Sequence, residues 1–243
     1  RHRNTTPERY SVYGNSWTRF PQMCEPIEPE NGNRFLMFAR VFQLPDGNLF
    51  FATGMPVDYT PAADGTYYST RYNPNTGDYV GFKIPEPAGY GSGWSFPCVL
   101  LPLLPEDNYR PKVLFCGQNI AKIIDLSGPA DAANDWSNTT NNPPLGIVRD
   151  NSCAVILPTG KVCVIGGVSA AVSNDGDQNN DSVHAPEIYD PGINWATKQY
   201  AAGTDSWSVD AADVQQNARN YHSIALLLPN GKVFSAGGNK DSD

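Results

Sequence analysis

Residues 218–239 read ARNYHSIALLLPNGKVFSAGGN, and the fold follows from this phrase. Residues 223–228 form a short apolar run bounded by turn residues, the pattern of a buried strand. Pro229-Asn230-Gly231 supplies the turn: proline presets φ, asparagine favours the bend, and glycine accepts the positive φ that other residues resist. Residues 232–236 are the return strand, closed by Gly237-Gly238. The stretch predicts a β-hairpin.

The phrase recurs. Residues 149–167 read RDNSCAVILPTGKVCVIGG, turning at Pro158-Thr159-Gly160, and residues 38–54 read FARVFQLPDGNLFFATG, turning at Pro45-Asp46-Gly47. A degenerate copy with a longer turn, FPCVLLPLLPEDNYRPKVLFCG, occupies residues 96–117. Four hairpins spaced by roughly fifty to seventy residues predict a β-propeller, whose blades cannot bury their faces singly. No segment carries sustained helical periodicity, so the expected class is all-β: about three complete four-stranded blades plus parts of two more.

The expected layout is the end of a blade over 1–17, blades over 35–90, 93–140 and 147–210, and the first hairpin of the next over 218–243. Strands are expected near 37–44, 48–53, 66–72 and 78–83, then at 98–104, 112–116 and 121–126 with Trp136 near the blade's end. The third blade takes 152–157, 161–165 and 187–189, a turn at Asp190-Pro191-Gly192, and Trp195 or Trp207 beyond. Propellers close with at least four blades, and an open stack leaves raw sheet edges. The sequence starts at Arg1 with neither initiator Met nor signal peptide, so it reads as a fragment whose other blades lie elsewhere in the same or another chain.

Composition narrows the partners. With 40% apolar and 17% charged residues the chain is globular, and its net charge of −8, without any Lys/Arg cluster, argues against nucleic acid. No apolar run has the length of a membrane span. Five cysteines (Cys24, Cys98, Cys116, Cys153, Cys163) lack metal-type spacing. Cys98/Cys116 and Cys153/Cys163 each sit on two arms of one hairpin and read either as close pairs or as buried free thiols. Sequons at Asn4, Asn138 and Asn180 in turn-rich stretches, with 11% aromatics, point to a secreted glycoprotein.

In a propeller the first strand of each blade lies nearest the axis, so the loop after the second strand returns to the face where the first began. Residues 219–222 and the loops 54–65 and 168–183 are thereby expected on one face. The last loop is long and polar, and reads either as functional or as a solvated insertion.

The phrase HAPEIYDP at 184–191, followed by R-x-Y-H-S-x-A-L-L-L-P-x-G-K-V from Arg219, resembles the galactose oxidase and glyoxal oxidase family of copper radical oxidases. Residues 98–127, CVLLPLLPEDNYRPKVLFCGQNIAKIIDLS, are similar to its glyoxal-oxidase-type branch. The resemblance covers nearly the whole chain and implies a seven-bladed kelch-type propeller. It further implies one copper held by two tyrosines and two histidines, one tyrosine being thioether-linked to a cysteine. Primary alcohols or aldehydes are oxidised by O₂, with release of H₂O₂. Tyr221 and His222 match the adjacent tyrosine–histidine ligand pair, with Tyr221 also the base for the substrate hydroxyl. Phenolate oxygen and imidazole nitrogen suit Cu(II), and one copper needs a second one-electron centre for a two-electron oxidation.

The cross-linked tyrosine and its cysteine are expected before Glu8, and the second histidine after Asp243 in a C-terminal domain. His2 and His184 match neither role, so this piece alone is not expected to be an active oxidase. Neighbouring residues on a regular strand point to opposite faces, so Tyr221 and His222 reach one metal only where the pleat breaks. Arg149, at the corresponding strand mouth one blade earlier, either lines an axial pocket or hydrogen-bonds inter-blade carbonyls. Tyr90 and Trp94, in GYGSGW, are placed to stack on a sugar-like substrate. The alternative function is a non-catalytic propeller that binds carbohydrate or serves an extracellular assembly.

Overall fold

A computed structural model describes residues 8–19, 36–37, 40–52, 55–56, 68–83, 96–117, 120–128, 136–140, 149–169, 181–212 and 214–238. Among them lie twenty short strands and a 3₁₀ turn at Pro105–Asp107; the class is all-β. The chain divides into two compact units, residues 1–94 with 128–136, and residues 95–127 with 137–243.

The first unit holds β1 (Glu8–Ser11), β2 (Ser16–Arg19), β3 (Leu36–Met37), β4 (Val41–Gln43), β5 (Leu49–Phe51), β6 (Met55–Pro56), β7 (Tyr68–Tyr72) and β8 (Tyr79–Lys83). An antiparallel sheet runs β4-β5-β7-β8. Phe50, fully buried on β5, packs against Trp136 at 6.0 Å between ring centroids. The Trp136 indole donates to Ser69 Oγ at 3.0 Å, giving a buried N–H its partner. Hairpin β1–β2 is tied to the β7–β8 turn by Arg9, which donates to Pro74 O and Asn75 Oδ1 at 3.0 and 2.9 Å.

The second unit holds β9 (Cys98–Leu100), β10 (Lys112–Gly117), β11 (Ile120–Asp125), β12 (Ser137–Asn138), β13 (Cys153–Ile156), β14 (Val162–Ile165), β15 (Glu187–Asp190), β16 (Ile193–Asn194), β17 (Gln199–Tyr200), β18 (Ser206–Val209), β19 (Ser223–Leu227) and β20 (Val233–Gly237). Two four-stranded antiparallel sheets run β9-β10-β11-β12 and β13-β14-β15-β18, and β19–β20 is a two-stranded hairpin. Their first strands neighbour one another, β13 lying between β9 and β19.

Turn chemistry builds the repeat. Leu44 N donates to Asn48 O and Gly47 N to Leu44 O; the same two bonds recur at Leu157/Lys161/Gly160 and at Leu228/Lys232/Gly231, all between 2.7 and 2.9 Å. The three glycines have φ of +84°, +80° and +80°, which only glycine adopts without steric cost. Where no such glycine stands, the chain uses the 3₁₀ turn and puts Asn108 and Tyr109 at φ +54° and +53°.

Sheets buried on both faces read as continuous apolar runs rather than as alternation. β14 is buried at all four positions. Its Val162 and Val164, with Tyr189, meet Val99, Leu101, Leu114, Cys116 and Ala121 of the preceding sheet in one core. Tyr189 also packs on Trp207, 4.9 Å between centroids.

Two expectations are refined. The turn at Asp190-Pro191-Gly192 does not lead straight to the closing strand: the small hairpin β16–β17 intervenes, and Trp207, on β18, is the aromatic of the fourth strand. Trp195 sits between β16 and β17, 53% exposed. No disulfide joins Cys98, Cys116, Cys153 or Cys163. The register separates each pair, since Cys98 faces Phe115, Cys153 faces Ile165 and Cys163 faces Val155.

Candidate functional site

The Tyr221–His222 pair sits on a turn that immediately precedes β19. Ser223 N donates to Asn220 O at 2.9 Å and closes the turn, while His222 takes φ +66°. The pleat is therefore broken where both side chains must share a side, and their rings stack 3.7 Å apart, tilted by 33°. A left-handed conformation costs a non-glycine residue about 1–2 kcal/mol, so the surroundings must hold it.

Two glycine doublets do so. Gly167 N donates to Arg219 O at 2.6 Å. A Cβ on Gly166 would lie 2.2 Å from that same oxygen, so only glycine lets the backbones meet. On the other side Arg219 Nη1 donates to Gly237 O at 2.7 Å, and a Cβ on Gly237 would lie 2.8 Å from His222 O. Asn220 is fully buried between them. Tyr221 is half-buried and His222 exposed.

The same mouth exists one sheet earlier. Counting back six residues from the turn leucines Leu157 and Leu228 sets Asn151 opposite His222, and Asn151 shares the positive φ, at +54°. Asp150 then stands opposite Tyr221, and Arg149 opposite Asn220 rather than Arg219. The bent mouth is thus a property of the repeat, and only the residues placed on it differ.

Arg149 is buried within its own sheet. Its guanidinium pairs with Glu187 Oε2 at 2.7 Å and donates to Gly166 O at 3.0 Å and Ala185 O at 2.9 Å. Burial pushes its pKa down and the Glu187 carboxylate pulls it back up. The guanidinium thereby fixes the carbonyl side of the glycine that meets Arg219. Glu187, unremarked in the sequence, is fully buried on β15; a charged residue in an otherwise apolar strand is the signal that could have marked it. His184 Nδ1 lies 2.6 Å from Gln215 O.

Asn138 is exposed on β12, the edge strand of its sheet. Tyr90, Trp94, Asn4 and Asn180, and most of the loops 54–65 and 168–183, lie outside the described residues.

Tyr221 and His222 offer one oxygen and one nitrogen on stacked, accessible rings, a pairing Cu(II) accepts and half of a tetragonal set. Among the described residues no three His, Cys, Asp or Glu side chains gather to hold a metal on their own.

No family model matches the chain. Over 118 residues, 49% of this chain, it is 30% identical to galactose oxidase of Gibberella zeae, and a second galactose oxidase from the same organism matches equally. That match spans 15% of the relatives' length. A solved fungal alcohol oxidase of the AA5 family, in complex with copper, superposes with a TM-score of 0.64 at 19% identity. The superposition covers 97% of this chain and 44% of that one, and at this identity it speaks for the fold. By sequence over half its length the chain is similar to galactose oxidases, and by fold over nearly all of it to a copper-bound AA5 alcohol oxidase.

Proposed function

We propose that this chain supplies the Tyr221–His222 half of a copper centre in an oxidase that converts a primary alcohol, aldehyde or carbohydrate with O₂, releasing H₂O₂. The observation that carries this reading is the broken pleat, which stacks phenol and imidazole on one side. His222 would present a ring nitrogen and Tyr221 its Oη to the metal. When bound, copper would supply one one-electron redox centre beside the substrate, the second being the cross-linked tyrosine. Tyr221, deprotonated at Oη, would accept the proton of the substrate hydroxyl. The oxidation of RCH₂OH to RCHO balances with O₂ going to H₂O₂. Tyr90 and Trp94 remain proposed contributors to the pocket.

The remaining tyrosine, its thioether-linked cysteine and the second histidine are proposed to lie beyond this sequence. The sheets are proposed to be blades of a seven-bladed kelch-type propeller. Further blades are supported by hairpin β19–β20, on which Ile224, Leu226 and Phe234 stand about half exposed, whereas β13, the matching strand one sheet earlier, is flanked on both sides. Secretion, with glycans at Asn4, Asn138 and Asn180, belongs to the same proposal; no helix among the described residues is long and apolar enough to cross a membrane.

A second reading is a propeller that binds carbohydrate without catalysis. Copper content and peroxide release of the native protein, assayed over primary alcohols, aldehydes and sugars, separate the two. About one copper per chain with peroxide produced supports the oxidase, and sugar binding without copper uptake supports the alternative.

A further inference from the structure

We propose that Arg219 is a positioning residue for the Tyr221–His222 donor pair, an inference that rests on the copper reading above. Arg219 touches both elements between which the pair is hung. Its backbone oxygen accepts from Gly167 N at 2.6 Å, fastening the turn to the sheet of β13–β15 and β18. Its guanidinium donates to Gly237 O at 2.7 Å, fastening the same turn to the end of β20. Gly237 is in turn the register partner of Ser223, the residue that follows His222.

The backbones approach closely at Gly166 and Gly238. A Cβ on Gly166 would meet Arg219 O at 2.2 Å, and one on Gly238 would meet Arg219 Cα at 3.5 Å and Asn220 Oδ1 at 3.2 Å. His222 holds a left-handed φ that persists only where neighbours over-determine it. Arg219 therefore acts through the backbone of the turn. Without its guanidinium the end of β20 loses a charged donor at the carbonyl beside His222, and the two rings lose their fixed spacing. A ligand pair that must be organised at each binding event binds more weakly than one already in place.

The test uses the native protein, freed of copper and titrated with Cu(II) alone, comparing wild type with Arg219→Ala, Arg219→Gln and Arg219→Lys. Binding is read by competition with a chelator, by electron paramagnetic resonance and by the phenolate absorption band. The expected result is about tenfold weaker binding and an altered hyperfine pattern in Arg219→Ala, with partial recovery in Arg219→Lys, whose ammonium can still donate to Gly237 O. Should Arg219→Ala not fold, Arg219→Gln and Arg219→Lys carry the comparison. Variants that bind Cu(II) with wild-type affinity and spectrum overturn the positioning role and leave the copper reading standing. A wild-type protein that takes up copper without a phenolate band and without sensitivity to His222→Ala overturns both.

Discussion

Replacing Arg149 by methionine tests the interior of the repeat. The pair it makes with Glu187 has side chains 0% and 1% exposed. Removing one partner of such a pair costs about 3–5 kcal/mol, because the remaining charge stays buried. The carbonyls of Gly166 and Ala185 also lose their donor, and an orphaned buried carbonyl costs about 1–3 kcal/mol. A loss of at least about 3–5 kcal/mol follows, and at about 2–4 °C per kcal/mol for a chain this long the melting temperature falls by at least roughly 6–20 °C. Glu187→Gln should cost less, since Arg149 keeps both carbonyl acceptors. The double variant Arg149→Met/Glu187→Leu should recover most of the loss, leaving the two carbonyls as the residual penalty. Urea titration followed by tryptophan fluorescence, with a thermal melt, measures all three. If Arg149→Met costs under about 1 kcal/mol and instead raises KM for substrate, Arg149 lines a pocket and the buried-pair account is wrong.

Three further outcomes are expected. His222→Asn should leave stability within about 0.5 kcal/mol of wild type in the same titrations, because Asn151 already takes this conformation at the matching mouth and asparagine tolerates a left-handed φ; a loss above about 2 kcal/mol would contradict the match. Native alkylation at pH 8 should label half-buried Cys98 and Cys153 before Cys116 and Cys163, since burial raises the last two thiols, Cys163 to about 11; peptide mass spectrometry reads the order, and early labelling of Cys116 would refute the core packing. Burial alone would raise the carboxyls of Asp46 and Asp190, but hydrogen bonds from Asn48 and Arg71 to the first, and from Lys161 and Gly192 to the second, hold both below the usual carboxylate range. Their stabilisation is present above about pH 4 and lost as pH falls through the depressed values, so Asp190→Asn should flatten the acid limb of a stability–pH profile; an unchanged limb would refute it.

The hairpins were legible because their turns are local chemistry. A proline, a polar residue and a glycine fix φ over a few residues, and the apolar runs on either side leave one way to pair. The choice between Trp195 and Trp207 was not legible, because Asp190-Pro191-Gly192 fits either a simple turn or an excursion, and only the pairing of Tyr189 with Trp207 decides it. The Arg149–Glu187 pair spans strands brought together by sheet order, which no local pattern encodes. Cysteines on opposite arms of a hairpin looked close in sequence, yet a two-residue offset in register keeps Cys153 and Cys163 from facing each other. At the candidate site, Tyr221-His222 was marked by its motif, while the bend that brings the rings together depends on glycine doublets from two different elements.

The central claim is that Tyr221 and His222 hold copper as a pair, and paramagnetic resonance with optical absorption of the copper-loaded native protein tests it most directly. Wild type, Tyr221→Phe and His222→Asn should each fold. The account predicts that His222→Asn loses one nitrogen from the superhyperfine pattern and that Tyr221→Phe loses intensity from the phenolate band. Spectra of both variants identical to wild type would contradict it and leave the stacked pair as packing at the mouth of a strand.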